Sequence, residues 1–258
     1  MKYSVILLLT WILASLLPPA ALAAEAAQVD HPYLMWTRKD LGSLRAKIET
    51  QSWARQAYEE MASAKNRDGE DLRLLFRYAV MEDQEAGEIQ KKRLLGLLKA
   101  PEPLGAAIHW RILAYDVLYH ELSSEERTGI ERRLRRYIEY AIKPGGTYDT
   151  GIFNNEKDYA RYDGEDGRYT RTNWLPNIIF PWKLSANLAA VALGDERLIR
   201  KTWAEHGSIQ WYFDEYLGDS GFYEEEFSKM GSTPGGLLLY CTAARNLGLD
   251  ELRFCYAR

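Results

Sequence analysis

From Thr37 onward, apart from an irregular stretch after Lys143, apolar residues recur mostly at three- and four-residue steps, and strand-like alternation is nowhere convincing. A chain with that single period buries its apolar stripes only by packing helix on helix. Thr37 or Asp40 can cap a first helix whose apolar positions are Leu41, Leu44 and Ile48. Trp53, Ala57, Met61 and Ala64 repeat the spacing over 52–64, Leu72, Leu75, Phe76 and Ala79 over 71–81, and 86–98 continues it. Pro101 and Pro103 break the chain before a long segment, 104–121, that would carry His109 and His120 on one helix. Ser123-Ser124-Glu125-Glu126 supplies a cap and first-turn acids for a helix with Ile130, Leu134, Tyr137, Ile138 and Ala141 on one side. Further helices are predicted over 174–193, 195–216 and 234–246. The expected fold class is all-α, built from antiparallel helical hairpins joined by short turns.

The N-terminus reads differently. Lys2 precedes an apolar centre from Val5 to Leu17, followed by Pro18-Pro19 and the small-residue run Ala20-Ala21-Leu22-Ala23-Ala24. That is the pattern of a secretory signal peptide, residues 1–23, with Ala21-Leu22-Ala23 matching the small-x-small cleavage rule. The mature chain is then expected from Ala24, secreted or periplasmic. The apolar centre is short for a spanning helix, so no stable membrane insertion is expected after cleavage. A net charge of −4 with scattered basic residues leaves no electrostatic footprint for nucleic acid. Cys241 and Cys255 can pair in an oxidising compartment or remain two reduced thiols, and they offer no cysteine-based metal spacing. The 8 Trp and 17 Tyr supply flat, hydrogen-bonding ring surface of the kind that sugar-binding clefts use, and that a thick helical core uses too.

Lys143-Pro144-Gly145-Gly146 interrupts the helical pattern, and an irregular stretch extends to about Thr172. A loop of that length inside a domain is often a lid or a binding edge. Its acidic part, Asp158 to Asp166, lacks the ordered ligand spacing of an EF-hand, so a solvated loop is expected rather than a calcium site. The basic run Arg132, Arg133, Arg135 and Arg136 reads as a solvated helix face. His31, beside Pro32, reads as structural, and His206 as a packed or surface residue.

Four stretches in this order resemble one superfamily. "HPYLMWTRKDLGSLRAKIE" (31–49) is similar to the opening of secreted uronate lyases, and "LAYDVLYHELSSEERTGIERRL" (113–134) to their Tyr-Asp helix with the Leu-Ser-x-x-Glu-Arg that follows. "NWLPNIIFPWKLSANLAAVALGDERLI" (173–199) looks like their Asn-Trp helix, and "GDSGFYEEEFSKMGSTPGGLLLY" (218–240) like their acidic segment before the next helix. The family is the heparinase II/III-like and alginate-lyase-like polysaccharide lyases. The resemblance implies an (α/α) toroid over 24–258, here incomplete and truncated at its C-terminus, as if the chain were a fragment. No metal site and no cofactor is expected from the residues.

The implied reaction is β-elimination on an anionic polysaccharide or oligosaccharide. A base takes the C5 proton of a uronate and an acid protonates the departing oxygen at C4. Donors placed at the developing charge on the carboxylate then carry much of the rate. Asn173 matches the family's neutralising amide, and it can equally cap the helix that follows it. The family's proton-transferring tyrosine falls within 218–240. Aligning Met230-Gly231-Ser232 with the family's Tyr-Gly-Thr puts methionine at the phenol position, and Tyr223 is the nearest phenol. Glu226 matches the family's glutamate, while Glu224 and Glu225 read as solvated. Expected catalytic residues are thus Asn173, Tyr223 and Glu226. Trp174, His109, Arg171 and Tyr169 are the expected substrate-binding residues, with Arg161 and Arg168 as further cations of the loop.

Two other classes stay open on the same residues. A hydrolase on a helical toroid would draw on Asp163, Asp166 and the glutamate run as its carboxylate pair. A degenerate toroid that binds sugar without cleaving it would suit methionine at position 230.

Overall fold

The computed structural model describes residues 30–64, 69–102, 104, 108–142, 176–204, 209 and 233–248; for 176–180, 204 and 233–238 the backbone alone is described. Most of the described residues are helical, joined by turns and short irregular segments, with no strand among them. We label the helices α1 (Arg38–Thr50), α2 (Ser52–Ser63), α3 (Glu70–Met81), α4 (Gln84–Leu95), α5 (His109–Val117), α6 (Ser124–Ile142), α7 (Pro176–Ala192), α8 (Glu196–Ala204) and α9 (Thr233–Asn246).

Capping chemistry sets several of the boundaries. Thr37 closes a reciprocal box with Asp40, whose amide reaches the threonine hydroxyl while its carboxylate takes the Thr37 amide. Glu82, in the left-handed region at φ 57°, ends α3, and Asp83 then caps α4 by accepting from the Ala86 amide. A Cβ at Gly87 would lie 2.5 Å from the Tyr78 ring, so only glycine lets α3 and α4 approach this closely. Ser123 and Glu126 form the same kind of box at the start of α6, as the Ser-Ser-Glu-Glu pattern predicts.

Two predicted helices are shorter than their apolar period suggests. The segment 104–121 contains α5 and then a separate 3-10 turn, Tyr119–Glu121, so His109 and His120 do not share one helix. Leu118 breaks the run at the point where Asp116, Tyr115 and Leu118 all turn into the core. Likewise 86–98 is α4 plus a 3-10 turn, Gly96–Leu98.

α7 is the hub. Its apolar residues point in every direction around the axis, the mark of a helix buried on all sides. α5, α6, α8 and α9 all pack against it. Ala186, Ala189, Ala190 and Ala192 are buried completely or nearly so, and their small side chains admit four neighbours. α6 runs antiparallel to α7: Tyr137 stacks on Trp182 and Lys183 reaches the Ala141 carbonyl, joining the end of one helix to the early turns of the other. α7 and α8 form a tight hairpin through Gly194, with Asn187 bonded to Thr202 across it. The basic run on α6 is not simply solvated, since Arg133 and Arg136 pair with Glu102 and Arg135 pairs with Asp195. α1, α2 and α3 share a smaller apolar cluster of Ile48, Ala54 and Val80, bordered by Leu41, Leu44, Tyr58, Phe76 and Met81.

Candidate functional site

Residues 31–34 tie the ends of three helices together. Asp116, buried in the last turn of α5, accepts from His31 Nδ1 at 2.7 Å, from the Tyr33 amide at 3.0 Å and from the Leu34 amide at 2.8 Å. Tyr33 Oη donates to the Val191 and Ala192 carbonyls at the end of α7, at 2.8 and 3.0 Å. The last turn of any helix leaves such carbonyls without intrahelical donors. Asn246, the final residue of α9, donates its side-chain amide to the Tyr33 carbonyl at 2.7 Å. His31 completes the clasp by stacking on Tyr119 with ring centroids 3.8 Å apart, and Arg127 lies over the same tyrosine ring. Burial, then the charge of Asp116, pushes the Tyr33 hydroxyl pKa well above its ordinary value, so it stays a donor.

α5, α7 and α9 each end at residues 31–34, and α7 packs against the other two. The three therefore run the same way, and their N-terminal ends point away from the clasp. At 1.5 Å per residue, α7 and α9 are about 25 and about 21 Å long along their axes and α5 about 13 Å, with Pro181 inside α7 near its start. The positive ends of three helix dipoles then face one side of the molecule.

His109 opens α5 and is the one expected substrate-binding residue within the described set. Its ring meets that of Trp110 at 4.5 Å. Burial holds its pKa below the ordinary histidine value against the opposing pull of Asp71, so the imidazole is neutral near pH 7 and able to accept a proton. Asp71 itself gathers Gln90, Arg93 and Arg111. Burial works against its ionisation, but those hydrogen bonds and charges outweigh it and hold the carboxyl below the ordinary range. Asn173, Tyr223, Glu226, Trp174, Arg171 and Tyr169 lie outside the described residues. In the sequence Asn173 and Trp174 stand just before α7, and Tyr223 and Glu226 shortly before α9.

Sequence reasoning passed over Asp116, Lys183 and Asn246. The first two carry a usable signal, a lone charge inside an apolar helical run: "ILAYDVLY" and "FPWKLSANLA". Lys183 is buried, donates to the Ala141 carbonyl at 2.6 Å, and burial brings its pKa down to about 8. Tyr240 is buried and stacked on Trp203, and its hydroxyl lies near enough to Asn187 for that side chain to oppose the pKa rise that burial causes. Cys241 is disulfide-bonded, and the sequence contains one other cysteine, Cys255, outside the described residues. Among the described residues no group of three or more His, Cys, Asp or Glu is placed to hold a metal ion, and no helix is long and apolar enough to cross a membrane.

No family model, no curated protein and no solved structure matches this chain.

Proposed function

We propose that this chain is the helical toroid part of a secreted or periplasmic polysaccharide lyase that cleaves a uronate polymer by β-elimination. One observation carries the reading: α5, α7 and α9 run the same way, and the residues expected for catalysis precede two of them while His109 opens the third. Alternation of such same-direction helices with oppositely running α6 and α8 supports the toroid part of this reading, as it would any antiparallel helical bundle. Three positive helix ends on the catalytic side suit a polyanionic substrate. The disulfide at Cys241 fits an oxidising compartment and agrees with the leader read over 1–23.

In this reading Asn173 donates to the uronate carboxylate and so makes the C5 proton more acidic. Tyr223, as its phenolate, takes the C5 proton and gives it to the departing oxygen as the C4–O bond breaks and the C4–C5 double bond forms, and Glu226 orders the substrate or the backbone around it. Trp174 and Tyr169 offer ring faces to the sugar, and Arg171 meets a carboxylate or sulfate group. Neutral His109 supplies a hydrogen-bonding partner along the same cleft.

The test is to incubate the chain with alginate and with heparin-like polymers and follow the ultraviolet absorbance of an unsaturated uronate. Activity should fall about 100-fold or more in Asn173→Ala and in Tyr223→Phe, the range found for loss of one preorganised donor or proton-transfer group. Tight binding of the polymer with no unsaturated product would instead support the degenerate, sugar-binding reading that Met230 suggests.

A further inference from the structure

We propose that Tyr33 is a positioning residue: its hydroxyl on α7 and its carbonyl on α9 form a bracket that sets the register of these two helices and hence the spacing of the residues that precede them. The proposal rests on the lyase reading for its effect on rate, and on the described hydrogen bonds alone for its effect on structure.

α7 is held on several sides, by Tyr137 and Lys183 contacts to α6 and by Asn187 to α8. α9 packs against α7, and its described core residues are Tyr240, Cys241, Ala243 and Ala244. Burial raises the Tyr240 hydroxyl pKa and the Asn187 side chain of α7 opposes that rise, so the two helices also meet in a polar contact midway. Among the described residues Tyr33 is bonded to the closing turns of both α7 and α9, with Asn246 as its α9 partner. Asp116 fixes Tyr33 in turn through its amide, so the bracket cannot drift with the N-terminal segment.

Leverage makes a distant bracket matter. α7 is about 25 Å long, so a tilt of about 2° about its clasped end moves the far end by about 1 Å. A misplacement of that size at a reacting centre can lower a rate by about 100-fold.

Tyr33→Phe removes the hydroxyl and keeps the ring, and Asn246→Ala removes the other half of the bracket. Each variant is compared with Ile48→Val, which loosens the separate α1–α3 cluster, under conditions where all are fully folded. The expected result is a kcat about tenfold lower in Tyr33→Phe and in Asn246→Ala with KM within about twofold of the parent, and an unchanged kcat in Ile48→Val. Amide exchange should rise in Tyr33→Phe at the starts of α7 and α9 as well as at their ends. An unchanged kcat together with exchange that rises only near residues 191–192 and 246 overturns the proposal and leaves Tyr33 a local tether. Should the parent chain show no elimination on any uronate polymer, the lyase reading fails, and exchange at the two helix starts alone decides whether the bracket sets their register.

Discussion

The two apolar regions of this molecule are built on opposite plans. Around α7 the core is continuous, and the hub helix buries nearly every described side chain from Trp182 to Ala192. The α1–α3 region rests on Ile48, Ala54 and Val80, with α1 and α2 burying one residue each, and Trp53 stands exposed at the start of α2. Polar groups follow the same division. Near α7, Asp116, Lys183, Asn187 and Thr202 are buried and bonded into position, whereas α1 and α2 are decorated with exposed pairs such as Arg38 with Asp30 and Gln56 with Glu60. A region that buries few residues opens locally at low cost, and one whose polar groups are buried opens only as a whole.

The largest effect should come from breaking the clasp. Asp116→Ala leaves His31 and two backbone amides without their acceptor, and a loss of about 3–5 kcal/mol in global stability is expected from chemical denaturation. Next, Ile48→Ala should cost about 2–4 kcal/mol, but the loss should register as faster amide exchange in α1, α2 and α3 while exchange in α7 is unaltered. A uniform rise in exchange across both regions would show that they unfold as one unit.

Smaller, and opposite in sign, is the effect of Lys183. With its folded pKa near 8 and an unfolded value near 10.5, the unfolded chain holds more protons between those limits, so stability should rise with pH across that window. At pH 7 the buried charge costs about 3 kcal/mol, and losing the amine that meets the Ala141 carbonyl offsets about 1–2 of it. Lys183→Met should therefore stabilise the protein by about 1–2 kcal/mol at pH 7 and abolish the rise between pH 8 and 10. Above pH 10 the slope reverses in both proteins. Tyr33, Tyr115, Tyr137 and Tyr240 have raised folded pKa values, chiefly through burial, so the unfolded chain loses its phenolic protons first. The smallest effect is expected for Arg135→Ala, whose partly exposed pair with Asp195 should contribute about 0.2–1 kcal/mol to the melting profile.

How much of this was legible in the sequence follows the same division. The helices were legible because their apolar spacing and caps are local, as at Thr37-Arg38-Lys39-Asp40 and Ser123 to Glu126. The break in 104–121 was not, because residues 109–121 keep a helical apolar period while tertiary packing turns the chain at Leu118. The clasp was invisible as a contact, since Tyr33 finds partners 83, 158 and 213 residues away. Only the oddity of a carboxylate in "ILAYDVLY" pointed to it. Of the expected site residues, His109 could be placed beside Trp110, while its neutral state depends on burial that no periodicity reports.

The most direct test of the proposed chemistry is to digest a uronate polymer in water enriched in heavy oxygen and weigh the products. β-Elimination predicts a product at the new non-reducing end lighter by one water and free of the label at the cleaved bond. Heavy oxygen incorporated at that bond, with no unsaturated sugar formed, would establish hydrolysis and contradict the account.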